Sequence, residues 1–247
     1  MKMQLPFSIL PQPDDSTCGP TCLHSIYRYY GDEIPLEQVV KEVTMLEAGG
    51  TLAVLLACHA LQRGYQALIY TYKLQLFDPS WFQPNGPVLR ERLLAQQTCK
   101  ADEKLQVASR AYLQFLELGG ELRFEDLTAG LLRGYVKRSF PIIAGLSATY
   151  LYRTPREYGP KSDYDDIRGE PSGHFVVLCG YNKETRTIQI ADPLLPNPVA
   201  ATQRYDVGID RVLCAILLGV LTYDANLLII RPRRKRSSHG QNNPDRC

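Results

Sequence analysis

The run Pro11-Gln12-Pro13-Asp14-Asp15-Ser16-Thr17-Cys18-Gly19-Pro20-Thr21 sets the start of a helix and puts a cysteine in its first turn. Behind it the apolar positions Cys22, Leu23, Ile26, Tyr27 and Tyr30 recur at helical spacing, and Gly31 supplies a stop, so a helix is predicted over 18–30. A thiol is a good nucleophile only as thiolate, and the unpaired N–H groups and positive dipole end of a helix favour that charge. Cys18 therefore stands where thiol chemistry would want it, with the amide of Gln12 six residues upstream.

The rest of the chain alternates helical and strand-like patterns. Further helices are predicted at about 36–46 and 52–63, the second ending at Gly64, and Tyr65 to Tyr72 reads as a strand. Residues 88–97, 104–118 and 124–137 are helical by pattern, so about 74–137 reads as a helical insertion beside the core. Phe140 to Leu146 is a strand candidate, and 150–173 a long polar loop. His174 to Tyr181 and Thr187 to Ala191 form a hairpin about Asn182-Lys183-Glu184, followed by a helix near 208–221 and a last strand, Leu227 to Ile230. These elements predict an α+β fold in one domain over 1–230, without internal repeats.

Composition narrows the class. Seven cysteines, an odd number without CxxC pairs, fit a reducing compartment, and the longest apolar run, Val212 to Leu218, is far short of the ~20 residues of a membrane span. A cytoplasmic protein without membrane attachment is expected. Residues 231–247 carry six Lys/Arg against Asp245, and the chain's net +2 less this tail's +5 leaves the body at −3. The body is thus no nucleic-acid face, and the basic tail is expected to be disordered. Metal-ligand motifs such as HExxH or CxxC do not occur, and no metal or organic cofactor is expected.

Acyl transfer by a thiolate needs a nucleophile, a base, a group that orients the base, and donors for the oxyanion. Cys18 fits the first and His174, at a strand start after a loop, the second. Asp192, at the end of the returning strand, can lie beside His174 at one end of the hairpin. Gln12, with the Cys18 N–H, fits the fourth. Cys22, Cys58, Cys99, Cys179 and Cys214 lie on apolar patterns and read as core. His24, about 240° round its helix from Cys18, reads as a surface residue. Asp163, Asp165 and Asp166, in the acidic loop before the base, and Gly173 are candidates for substrate contact, selecting a basic or amine-bearing peptide.

Taken together, Gln12…Cys18-Gly19-Pro20-Thr21, Gly49-Gly50-Thr51, Gly173-His174-Phe175-Val176-Val177-Leu178…Gly180-Tyr181 and Ala191-Asp192-Pro193 resemble the double-glycine leader peptidases that mature bacteriocin precursors. The resemblance covers most of 12–73 and 172–230. It implies a papain-like fold with a nucleophile helix packed on an antiparallel sheet that carries the His and Asp. It also implies Cys18 as nucleophile, His174 as base, Asp192 as its orienter and Gln12 in the oxyanion hole of a cysteine peptidase. The stretch from Gly145 to His174 is similar to a stand-alone bacterial branch associated with ATP-grasp peptide ligases, which suggests such a ligase as partner and a peptide as substrate. Two other readings stay open: an acyltransferase or transpeptidase, in which an amine resolves the thioester, and an inactive peptide-binding relative.

Overall fold

The computed structural model describes residues 2–47 and 49–233. In chain order its elements are β1 (Lys2–Gln4), α1 (Cys18–Tyr29), α2 (Leu36–Glu42), α3 (Ala53–Gln62), β2 (Tyr65–Thr71), α4 (Leu89–Cys99), α5 (Glu103–Glu117), β3 (Glu121–Arg123) and α6 (Ala129–Lys137). The second half holds β4 (Ile142–Ser147), α7 (Ala148–Tyr152), β5 (Glu157–Tyr158), β6 (Asp163–Tyr164), β7 (Gly173–Asn182), β8 (Thr187–Ala191), β9 (Arg204–Gly208), α8 (Ile209–Leu218) and β10 (Asn226–Pro232). The architecture is α+β, a helical first part on a sheet that is antiparallel except at one edge.

That sheet runs β3-β2-β10-β4-β7-β8-β9, with β1 added beside the far half of β7. Its spine is β7, antiparallel to β4 through Leu146↔His174 and to β8 through Val177↔Ala191. Residues 174–181 of β7 are buried without the alternation of a one-sided strand, because elements cover both faces. Helix α1 packs on β7, α3 on β2 and β10, and α8 on β4. The apolar positions of the predicted helix, Cys22, Leu23, Ile26 and Tyr27, are the ones it buries here.

Several elements differ from expectation for identifiable reasons. The helix expected from 124 begins at Ala129, where Thr128 Oγ1 accepts from the Leu131 N–H as an N-cap. Just before it, β3 pairs parallel with β2, Ile69 facing Leu122. The helix expected to reach 46 ends at Glu42, since Val43 is extended. The polar stretch 150–173 is folded: α7 ends at Arg153 in the left-handed region, φ 59°, and β5 and β6 form a small hairpin closed by Glu157 and Glu170. Strands β1 and β9 were not anticipated.

Some burial assignments are also corrected. His24 is buried, not at the surface: α2 covers that side of α1, and burial lowers the imidazole's pKa. Cys99 and Cys214 are exposed, not core, because α4 buries only Leu93 and α8 turns Cys214 away from its buried stripe. Arg231 and Pro232, assigned to the tail, extend β10; residues 234–247 lie outside the described residues. Among the described residues no helix is long and apolar enough to cross a membrane, and no cluster of His, Cys, Asp and Glu could hold a metal ion.

Candidate active site

Cys18 is the first residue of α1 and is half-buried against the core. The glycine after it explains how the helix end comes so close to the sheet. A Cβ on Gly19 would sit 2.7 Å from Thr51 Cγ2 and 3.2 Å from Phe175 Cδ2. Only a bare Cα lets the first turn of α1 seat against Phe175, the residue after His174. One turn on, the buried Cys22 thiol donates to the Phe175 carbonyl at 3.3 Å, a packing role that matches expectation.

His174 opens the buried run of β7, and Asp192 follows the last residue of β8, so the hairpin brings them side by side as its geometry predicts. His174 Nε2 donates to Asp192 Oδ1 at 2.9 Å. Because Nε2 serves the carboxylate, Nδ1 is the ring nitrogen left free to face Cys18, whose sulfur lies near enough to act on the imidazole's charge. Burial works to lower the imidazole's pKa, but the Asp192 carboxylate and Cys18 sulfur outweigh it, and the value is raised to about 10. Asp192 answers in kind: burial raises its pKa, yet the imidazolium and its hydrogen bonds leave it below the usual carboxylate value.

Asp192 is fully buried, and its surroundings were not legible in the sequence. Oδ1 also accepts the Leu194 N–H at 2.9 Å. Oδ2 accepts the Tyr152 hydroxyl at 2.8 Å, the Tyr205 hydroxyl at 2.6 Å and the Asn197 amide Nδ2 at 2.9 Å. Its backbone is pinned as well, its N–H donating to the Gln203 carbonyl at 2.8 Å while Gln203 Nε2 donates to its carbonyl at 3.1 Å. Tyr152 comes from α7, Tyr205 from β9 and Asn197 from the loop between β8 and β9, three segments without a shared motif. Nothing in the sequence pattern marks them except the Asn-Pro turn at 197–198.

Gln12 lies in the loop before α1. Its N–H donates to the Pro193 carbonyl at 2.9 Å, which ties this loop to the residue after Asp192. Its side-chain Nε2 donates to the Asp14 carbonyl at 2.9 Å, while Oε1 is buried without a hydrogen-bond partner. Gly173 is the first residue of β7. A Cβ there would fall 1.8 Å from Asp224 Oδ2, so the Asp224 carboxylate lies directly over its backbone. Burial raises the Asp224 pKa to about 7 despite the Thr222 hydroxyl, which donates to it at 2.7 Å.

The acidic candidates lie on the exposed β5–β6 hairpin, a sheet separate from the main one, and on the turn after it. Asp165 is committed to that turn: Oδ1 accepts the N–H groups of Ile167 and Arg168, and Oδ2 pairs with Arg168 Nε at 2.6 Å. The structure thus brings Cys18, His174 and Asp192 together, sets Gln12 and Gly173 beside them, and carries Asp163, Asp165 and Asp166 on the exposed β5–β6 hairpin and the turn after it.

A thiol, an imidazole and a buried carboxylate so placed on an α+β, papain-like fold can carry acyl transfer. Among solved structures, a C39-like peptidase from Bacillus anthracis is 14% identical, is covered in full by 95% of this chain, and superposes with a TM-score of 0.52. Two more distant matches are a double-glycine motif protease of an AMS/PCAT transporter in complex with its leader peptide and xylellain, a cysteine protease from Xylella fastidiosa. The first is 14% identical over 93% of this chain and 94% of that one, with a TM-score of 0.44; the second is 15% identical over 94% and 86%, with 0.43. The chain has the C39-like peptidase fold. No protein-family model matches it, and no curated protein is significantly similar in sequence.

Proposed function

We propose that this chain is a cysteine peptidase that cleaves a peptide through an acyl-thioester on Cys18. The observation that carries the reading is His174, which holds a fully buried Asp192 on Nε2 at 2.9 Å and has the Cys18 sulfur near enough to act on its charge. A raised imidazole pKa beside a thiol favours a thiolate–imidazolium pair, the form in which a cysteine attacks.

The thiolate adds to the scissile carbonyl and forms the C–S bond, putting negative charge on the carbonyl oxygen. That charge is met by the Cys18 N–H at the start of α1 and by the Gln12 amide, which must turn over from its present bond to Asp14 so that Nε2 takes the place of the unpartnered Oε1. The imidazolium gives its proton to the leaving amine as the C–N bond breaks. A water then adds to the thioester, His174 takes its proton, and the C–S bond breaks to return the thiolate. Asp192 holds the imidazole in orientation throughout. Gly173, next to the base, lines the substrate path, and any acidic recognition falls to Asp163 and Asp166, since Asp165 is spent on Arg168.

Iodoacetamide followed by peptide mapping tests this. Alkylation concentrated at Cys18, slowed at least tenfold in His174→Ala, with peptide turnover lost in Cys18→Ala, is expected. A Cys18→Ala protein with full turnover would falsify the reading.

A further inference from the structure

Asp192 accepts five hydrogen bonds, and three of them fall on Oδ2, the oxygen that His174 does not use. Oδ1 faces His174 and the Leu194 N–H; Oδ2 is filled by Tyr152, Tyr205 and Asn197. The filling is directional. Each donor points the positive end of a dipole at the carboxylate, and none accepts from it.

Resting on the peptidase reading, we propose that Tyr152, Tyr205 and Asn197 are positioning residues that act on His174 through Asp192. By occupying Oδ2 they aim Oδ1 at the imidazole and weaken the carboxylate as a hydrogen-bond acceptor. A carboxylate with no other donors would hold the imidazolium tightly and make it a poor acid toward the leaving amine. Three extra donors share out its charge and keep the proton transferable.

Geometry supports each member. Tyr205 stands opposite Ile190 on the neighbouring strand, so the β8–β9 register fixes its reach to the residue just beyond β8. Tyr152 closes α7, whose start is tied to the segment before His174: the Ala148 N–H donates to the Ser172 carbonyl at 2.9 Å, and the Ser172 N–H to Thr149 Oγ1 at 3.0 Å. Its ring lies 6.0 Å from the His174 ring, tilted 55°, so the side chain that donates to Asp192 Oδ2 also neighbours the imidazole. Asn197 reaches Oδ2 from the loop that Gln12 also grips through Pro193. The same loop therefore ties the orienting acid to the oxyanion side of the site.

The competing account is that these donors only satisfy a buried charge, which any folded protein must do. The two accounts differ in what the imidazole feels. The groups facing His174 are Asp192, Cys18 of α1 and Asp224 before β10; those facing Asp192, besides the three donors and His174, include Cys22 of α1. None of these is changed by removing a hydroxyl from Tyr205 or Tyr152. If the donors temper Asp192, removing one leaves a more basic carboxylate and a more tightly held imidazolium. If they only fill a void, stability changes and the imidazole does not.

The test uses the full chain as wild type, Tyr205→Phe, Tyr152→Phe and Asn197→Ala, with the His174 ring titrated by NMR and Cys18 alkylation followed with iodoacetamide. We expect the His174 titration to move up by about half a pH unit for each donor removed, as for loss of one hydrogen bond to a charged group. In peptide turnover the same variants should lose several-fold in kcat with KM within twofold. A His174 titration unmoved in the variants, or moved down, overturns the proposal. Should Tyr205→Phe fail to fold, Asn197→Ala, on a half-buried loop, decides it alone. Wild-type protein that is not alkylated at Cys18 overturns the peptidase reading itself, whereas normal alkylation with an unmoved imidazole overturns only this inference.

Discussion

Replacing Asp192 by alanine is the sharpest test of how the site is built. The carboxylate is fully buried and accepts from His174 Nε2, the Leu194 N–H, the Tyr152 and Tyr205 hydroxyls and Asn197 Nδ2. Truncation leaves room for roughly one water, which can accept about two hydrogen bonds, so about three of the five donors go unmet. A buried donor without a partner costs about 1–3 kcal/mol, and stranding one partner of a buried ion pair costs about 3–5 kcal/mol in total. Part of the gross penalty is offset because a lone imidazolium gives up its proton. We therefore expect Asp192→Ala to be destabilised by about 3–5 kcal/mol, lowering Tm by about 6–20 °C in a chain of this size.

Asp192→Asn separates shape from charge. Its carbonyl can serve the His174 and Leu194 donors, and the tyrosine hydroxyls can turn to accept from its amide, but Asn197 then meets donor with donor. A loss of about 1–3 kcal/mol is expected, clearly less than for alanine. Urea unfolding followed by circular dichroism, with unchanged m-values, measures both. An alanine variant within about 1 kcal/mol of wild type, or an asparagine variant as damaged as alanine, refutes the argument that five donors depend on this carboxylate.

Stability should also depend on pH in a way that His174 carries. Its pKa is raised from 6.5 to about 10 by the folded state, so the stability it contributes is complete below 6.5 and is lost as pH climbs through 10. Asp192, lowered from 3.8, contributes above that value and loses its contribution as pH falls beneath it. Melting temperatures of wild type should therefore decline between pH 6.5 and 10, and a His174→Gln protein should lack that decline; equal slopes would contradict the assignment. Gly173→Ala should be disruptive where Gly208→Ala is not. The first puts a Cβ 1.8 Å from Asp224 Oδ2 and the second meets nothing within 4 Å. A loss of about 1–3 kcal/mol with slower Cys18 alkylation is expected for Gly173→Ala, against a change within about 0.5 kcal/mol for Gly208→Ala. Equal melting of the two would remove the close-approach argument.

Where the local signal was strong, reading and structure agree closely. The helix expected over 18–30 spans Cys18–Tyr29, the strand expected over 65–72 spans Tyr65–Thr71, and the hairpin strands of 174–191 sit in the anticipated pairing. Each rests on its own periodicity and a nearby glycine or polar turn, information contained in a dozen residues. Strand β3 has three residues and no alternation to recognise, and it exists because β2 offers an open edge. The burial of His24 depends on α2 folding back over α1, which no helical wheel of α1 alone can report.

The same division runs through the site. The chain by itself determined a thiol at a helix start, a following glycine for close approach, and a histidine and an aspartate at one end of a hairpin, because those are properties of sequence neighbours. Tertiary structure alone decided what surrounds the aspartate. Tyr152, Asn197 and Tyr205 belong to a short helix, a loop and a strand, and their meeting on one oxygen is fixed by sheet register and by the docking of α7, not by any spacing between them. Hydrogen bonds act over about 3 Å whatever the separation along the chain, and a linear pattern cannot encode that convergence.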